Sequence, residues 1–247
     1  MSSRFAQILK HAIITCHPNN AHSFKTNFND LKILLDSLTI SDLGPNLPSH
    51  LYSKNSFVET NKAPCTFVNI FENENLAVSI FILKERYTMP IHDHPMIHGI
   101  LKGMAGKLLV ESYTASNDDE ATLSGSDEYG TIIMAKKETP MELCEYTDCV
   151  TLSPNHSQFH RITSIEGPAV LFDILTPPYE ADIPVYGPRN CSYYRQVMLF
   201  DDEQFQHLGL EKIAPPSHFY CDTGYYKMPQ SILDELNSME KSELSSK

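Results

Sequence analysis

Apolar residues recur at helical spacing at the start of the chain. Phe5, Ile8, Leu9, Ala12 and Ile13 form one stripe. Phe28, Leu31, Ile33, Leu34, Leu35 and Leu38 form a second, with Pro18-Asn19-Asn20 between them. Two helices are predicted, in an N-terminal extension over residues 1–45. The stretch from Gly44 to His50 is rich in helix breakers and reads as a connection. After about residue 65 the pattern changes to short apolar runs with β-branched and aromatic residues. Predicted strands are Thr66–Phe71, Leu76–Leu83, His98–Met104, Lys107–Tyr113, Thr131–Ala135, Cys149–Leu152, Ala169–Leu175 and Tyr193–Phe200. Asn73-Glu74-Asn75, Met104-Ala105-Gly106 and Glu166-Gly167-Pro168 read as turns between them.

Short strands separated by turn signals suit an antiparallel sandwich or barrel. A single domain over residues 1–247 is expected, mainly β, with its core over 60–230. Residues 115–130 are polar and acidic and read as a long solvated loop. Residues 235–247 are charged and serine-rich and are expected to form a flexible tail.

The formal net charge of -12 argues against a nucleic-acid partner. No apolar run approaches the length of a membrane span, and the first ten residues lack the long apolar stretch of a secretory signal. A soluble intracellular protein is expected, in the cytoplasm or also in the nucleus, with no membrane partner and as a monomer. The six cysteines include no CxxC pair, so neither a disulfide scaffold nor a zinc–thiolate site is indicated.

The candidate chemistry lies in His92-Asp93-His94 and in His160, sixty-six residues after His94. On an extended strand, side chains two apart share a face, so His92 and His94 point the same way and Asp93 points away. His160 follows an apolar run and a Ser-Pro turn and can close a three-nitrogen metal site. His156 and His98 compete for the third place. No carboxylate stands just after His94, so the set is all imidazole. Imidazole suits iron, zinc, copper or nickel. An all-histidine site leaves the ion's charge uncompensated and favours an anionic ligand such as a thiolate.

Several blocks match one family. They are Ile91-His92-Asp93-His94-Pro95 with His98-Gly99-Ile100-Leu101-Lys102, Leu152-Ser153-Pro154 with His160, and Glu166-Gly167-Pro168. Asp173-Ile174-Leu175-Thr176-Pro177-Pro178-Tyr179 and Asn190-Cys191-Ser192-Tyr193-Tyr194-Arg195 follow. With these blocks the chain resembles the thiol dioxygenases of the 2-aminoethanethiol (cysteamine) dioxygenase and plant cysteine oxidase family, over most of its length. The resemblance implies a cupin barrel with mononuclear Fe(II) held by His92, His94 and His160. It implies addition of dioxygen to the sulfur of cysteamine, or of a protein's N-terminal cysteine, giving a sulfinic acid. Oxidation of an N-terminal cysteine would mark its protein for arginylation and degradation, an oxygen-sensing role. The chain departs from the family in the turn before His160, in the insert Ile183–Pro188 and at Gly103–Gly106, which bears on substrate preference. Two other classes fit the metal motif: a cupin isomerase or hydrolase using zinc or manganese, and a non-catalytic ligand-binding cupin.

Four further residues are expected in the site. Asp173 stands in an otherwise apolar strand, where a lone carboxylate is costly, and a ligand-imidazole N–H is its natural partner. Tyr179 follows two prolines, and its phenol could face bound oxygen or the substrate amine. Cys191 and Tyr193 share a strand face, and the resemblance raises a thioether crosslink between them. Lys102, Arg161 and Arg195 are candidate anchors for a substrate carboxylate, which neither cysteamine nor an N-terminal cysteine requires.

Overall fold

A computed structural model of the chain describes residues 3–47, 52, 63–116, 129–182, 187–197 and 207–244. Most of the acidic stretch 115–130, part of the insert 183–188 and the end of the run Tyr193–Phe200 lie outside these residues. Helix α1 (Arg4–Cys16) and helix α2 (Phe24–Asp36) are joined by a 3-10 turn over Pro18–Ser23. Ser3 caps α1, its Oγ accepting from the Ala6 N–H at 3.1 Å. The predicted stripe of Phe5, Ile8, Leu9 and Ala12 is the buried face of α1.

Eleven strands follow among the described residues: β1 (Cys65–Glu72), β2 (Ala77–Leu83), β3 (Thr88–Asp93), β4 (His98–Ala115), β5 (Ile132–Lys137), β6 (Met141–Leu143), β7 (Val150–Leu152), β8 (Phe159–Thr176), β9 (Tyr193–Val197), β10 (His207–Ile213) and β11 (Cys221–Thr223). All pairings are antiparallel except β1 with β11. Strand β8 pairs with β2, β3 and β4. The path β8–β3–β9–β10–β5–β4 therefore returns to β8 and closes a barrel, with β2, β1 and β11 extending one side. This is the mainly β cupin architecture expected from the sequence.

Period-2 alternation on β8 sets the two faces. Phe172 and Ile174 join the cluster beneath α1, where Phe5 meets Phe172 edge-on at 6.3 Å. Leu171, Asp173 and Leu175 face an interior cavity instead. The helices thus seal one sheet face and leave the other for the site.

Two differences from the sequence reading concern β4 and β8. Met104-Ala105-Gly106 and Glu166-Gly167-Pro168 are not turns between strands. They are opposed irregularities inside two 18-residue strands, where the pairing register shifts between Gly103 and Leu108. Gly106 has φ +63, and a Cβ there would meet the Glu166 carbonyl oxygen at 2.5 Å. Strand β3 carries the His92-Asp93 segment read as extended, whereas β6, β10 and β11 lie outside the predicted set. At the C-terminus, helix α3 (Gln230–Leu244) stands where a flexible tail was expected after Glu235, with Ile232 buried in the cluster beneath α1.

Substitution of Gly106 by alanine should cost about 3 kcal/mol or more, because strain at positive φ adds to contact with main-chain oxygens. Gly130 also has positive φ but has nothing within 4 Å of its would-be Cβ. There the same change should cost about 1 kcal/mol. Urea unfolding of the two variants compares them, and equal losses would mean that the β4–β8 bend does not depend on this approach.

Candidate metal centre

His92 lies on β3 with a direct cross-strand partner on each side, His160 of β8 and Tyr193 of β9. His94 follows the end of β3, two residues on, its N–H bonded to the Gln158 carbonyl at 2.8 Å. Pairing and alternation therefore turn the imidazoles of His92, His94 and His160 toward one point. Their ring centroids stand 5.0, 4.5 and 4.7 Å apart, and one nitrogen of each falls within 4.8 Å of the others. All three rings are buried.

Hydrogen bonds decide which nitrogens are free. His92 Nδ1 lies 2.9 Å from the Pro90 carbonyl, which can only accept, so Nδ1 carries the hydrogen and Nε2 keeps its lone pair. The Tyr179 hydroxyl donates to the Asp93 carbonyl at 2.5 Å and so accepts from His94 Nδ1 at 2.8 Å. His94 Nε2 is left buried without a partner. His160 bonds the Ser157 backbone. Burial lowers the pKa of all three rings; His160 and His92 lower that of His94 further, and His92 that of His160. Neutral imidazole is the form that binds a metal. An orphaned inward nitrogen and a convergent three-nitrogen donor set fit a resident transition metal.

The rival histidines stand elsewhere. His156 is exposed and bonds Ser157 Oγ at 3.0 Å. His98 packs against Phe24 and Phe28 at 5.0 and 5.8 Å, so it belongs to the contact between α2 and β4.

The imidazoles end a cavity of about 280 Å³ lined mainly by apolar groups, among them Met89, Leu101, Ile162 and Leu171. Asp173, Tyr179, Cys191 and Tyr193 also line it, so all seven predicted residues meet at one place. Two of them make other contacts than the sequence reading expected. Asp173 makes no bond to an imidazole; its Oδ1 is buried without a partner, and burial lifts its carboxyl to about 8. Tyr179, expected to face the substrate, spends its hydroxyl on fixing His94. The reason is reach: the side chain of Tyr179 spans to Asp93 and His94, whereas Asp173, thirteen residues beyond His160 on β8, bonds none of the imidazoles. Cys191 is a free thiol hydrogen-bonded to Tyr179 and Tyr193, and burial pushes it up to about 12.

The candidate carboxylate anchors do not enter the cavity. Lys102 is fully buried and donates to the Glu145 and Thr147 carbonyls at 2.9 and 2.7 Å. Arg161 pairs with Glu111 and Arg195 with Glu211. Sequence reasoning missed Asp93, which is buried rather than solvated. Its Oδ1 accepts from the Ser192 N–H at 2.7 Å and its Oδ2 from the Tyr194 hydroxyl at 2.8 Å. Asp93 thereby ties the metal strand to the segment bearing Cys191 and Tyr193. Its place between two inward residues of an apolar strand was the available signal.

A barrel with three inward imidazoles lining an apolar cavity defines a cupin with a candidate metal site. The family model described as PCO_ADO matches residues 34–231, and the chain belongs to that family. The 2-aminoethanethiol dioxygenase of Homo sapiens is 28% identical over 180 residues, which cover 67% of this chain and 59% of that protein. For the same-named protein of Mus musculus the identity is 28% over 225 residues, covering 80% and 81%. Plant cysteine oxidase 2 of Arabidopsis thaliana is 26% identical over 170 residues, covering 68% and 56%. The chain thus spans less than two thirds of the human and plant relatives. The solved structure of KdgF from Halomonas sp. overlaps 47% of this chain and 82% of its own, at 12% identity and a TM-score of 0.33.

Replacing Tyr179 by phenylalanine removes the acceptor for His94 Nδ1–H. Metal affinity should fall about 10- to 100-fold with the thermal midpoint little changed. Competition against a chromogenic chelator measures it, and unchanged affinity would show that His94 is oriented by other means.

Proposed function

We propose that the chain is an iron(II)-dependent thiol dioxygenase that converts cysteamine, or the N-terminal cysteine of a protein or peptide, to the sulfinic acid. The observation that carries this reading is the convergence of three neutral imidazoles, with no carboxylate in the ligand group, on a small apolar cavity. The names of the relatives, 2-aminoethanethiol dioxygenase and plant cysteine oxidase, support both substrate types. Iron(II) held by His92, His94 and His160 would acidify the substrate thiol and bring its sulfur beside dioxygen. Both oxygen atoms pass to sulfur, which supplies four electrons, so no outside reductant enters.

The protein's own groups handle the rest of the substrate. Met89, Leu101, Ile162 and Leu171 keep the cavity dry, which strengthens every polar contact inside it. Among the described residues, Asp173 is the carboxyl that faces that space without a partner. A substrate ammonium entering the cavity favours the ionised carboxylate, which releases its proton to solvent and forms a charge-assisted bond with the ammonium. Cysteamine and an N-terminal cysteine share this amine, two carbons from sulfur. Cys191 stays protonated at neutral pH, so it presents no competing thiolate. Outside Tyr179 and Pro178 a second hollow is bordered by Glu72, Glu74, Glu180 and Asp182. Together with the net charge of -12, this rim attracts cationic amines and basic peptides. Acting on an N-terminal cysteine, the enzyme would couple the lifetime of its substrate protein to oxygen.

Oxygen uptake by the iron-loaded protein tests the reading. Cysteamine or a Cys-initiated peptide should support uptake, and absence of uptake with both, iron being bound, would contradict it. The Asp173→Asn variant should raise KM for the amine-bearing thiols by about 10-fold or more, the worth of one charge-assisted bond. An uncharged thiol of similar size should be unaffected. Equal loss with both would remove Asp173 as the amine's partner.

A further inference from the structure

Two cysteines outside the cavity lining stand opposite one another. Cys65 opens β1, and Cys221 opens β11; the parallel ladder between these strands pairs them directly. Their thiols share a hydrogen bond. Neighbouring strands are spaced about 4.8 Å apart, inside the range of about 4.4–6.8 Å between Cα atoms that a disulfide requires. The two sulfurs are unequal. Cys65 is fully buried, whereas Cys221 is half-buried. The bond to Cys221, and then burial, hold the Cys65 thiol protonated, while the same bond draws the Cys221 thiol down. Cys221 is therefore the sulfur that ionises and that solvent reaches.

We propose that Cys65 and Cys221 form a peroxide-oxidisable pair whose disulfide ties β11, and the cavity wall beside it, to β1. The Cys221 thiolate attacks hydrogen peroxide; the O–O bond breaks, hydroxide leaves and Cys221 becomes a sulfenic acid. The Cys65 sulfur then attacks the Cys221 sulfur, the S–O bond breaks and water leaves. Two thiols lose two electrons and two protons, and one peroxide becomes two waters. A small thiol reductant reverses the change by exchange.

The tie matters because of what lies next to it. Phe219, two residues before Cys221, lines the metal cavity and sits against Tyr193 at 5.9 Å and Tyr87 at 6.5 Å. The Tyr87 hydroxyl donates to the His218 carbonyl at 3.1 Å. Beyond it, β11 is only three residues long. Apart from its ladder to β1, it is held by the Ala63 N–H donating to Asp222 Oδ2 at 2.9 Å and the Gly224 N–H donating to the Phe67 carbonyl at 2.7 Å. A covalent bond at Cys221 fixes the wall that carries Phe219. Neither the pair nor its oxidation depends on the reaction proposed for the metal centre.

Treatment of the full, metal-loaded chain with equimolar hydrogen peroxide, followed by alkylation of free thiols and peptide mapping by mass spectrometry, tests this. In the wild type a crosslinked peptide joining Cys65 to Cys221, lighter by two hydrogens and released by a thiol reductant, is expected. In Cys65→Ser the crosslink should vanish, and Cys221 should be trapped as sulfenic acid by a 1,3-dione and pass on to sulfinic acid. Recovery of both wild-type thiols in alkylated form would overturn the proposal. So would wild-type Cys221 reaching sulfinic acid as readily as in Cys65→Ser. The wild-type map decides the matter even if the variant folds poorly.

Discussion

The pairing of β3 with β8 at His92 and His160 is the constraint on which the site rests. Opposed residues of an antiparallel pair share a face, so one register step would send an imidazole out of the cavity. The apolar residues of the same strands hold the register. Met89 pairs with Ile162 immediately before the irregularity that leads to His92 and His160, and both side chains are buried. The third imidazole comes from the bend after β3, and the second flank, Tyr193, from β9. Three strands and the bend after β3 thus contribute to one cluster.

Burying three imidazoles has its own cost, and the surrounding groups answer it ring by ring. Pro90, Tyr179 and the Ser157 backbone each take one hydrogen bond. That leaves the inward nitrogens as the unsatisfied set, which is what a metal requires. Asp93 belongs to the same economy of buried polar groups: bonds from Ser192 and Tyr194 offset much of its burial, although its carboxyl still stands at about 6. Asp173 is the exception. It remains a buried carboxyl without a partner among the described residues.

The ligands were legible in the sequence because their signal is local: residue type plus a spacing of two, with one more histidine after an apolar strand and a Ser-Pro turn. The helical stripes were legible for the same reason. The length of β4 and β8 was not, since Gly103, Gly106 and Gly167 are turn residues by type and act here as bulges facing each other across a ladder. Strand β10 was missed although Leu208 and Leu210 alternate with Gly209 and Glu211, because so short and glycine-broken a run resembles a loop. The contacts of Asp173 and Tyr179 were not legible for a deeper reason. Which hydroxyl or carboxyl reaches which imidazole depends on side chains from strands far apart in the chain, and no spacing records that. Lys102 reads as a surface charge until β4 carries it beneath the 144–147 turn.

The central claim is that three histidines hold a metal that moves both atoms of dioxygen to a thiol. The most direct measurement is product mass after turnover of the iron-loaded protein with cysteamine under isotopically heavy dioxygen in ordinary water. The account predicts a sulfinic acid carrying two heavy oxygen atoms, and none from His160→Ala. A product with one heavy atom or none, formed by protein with its iron in place, would contradict it.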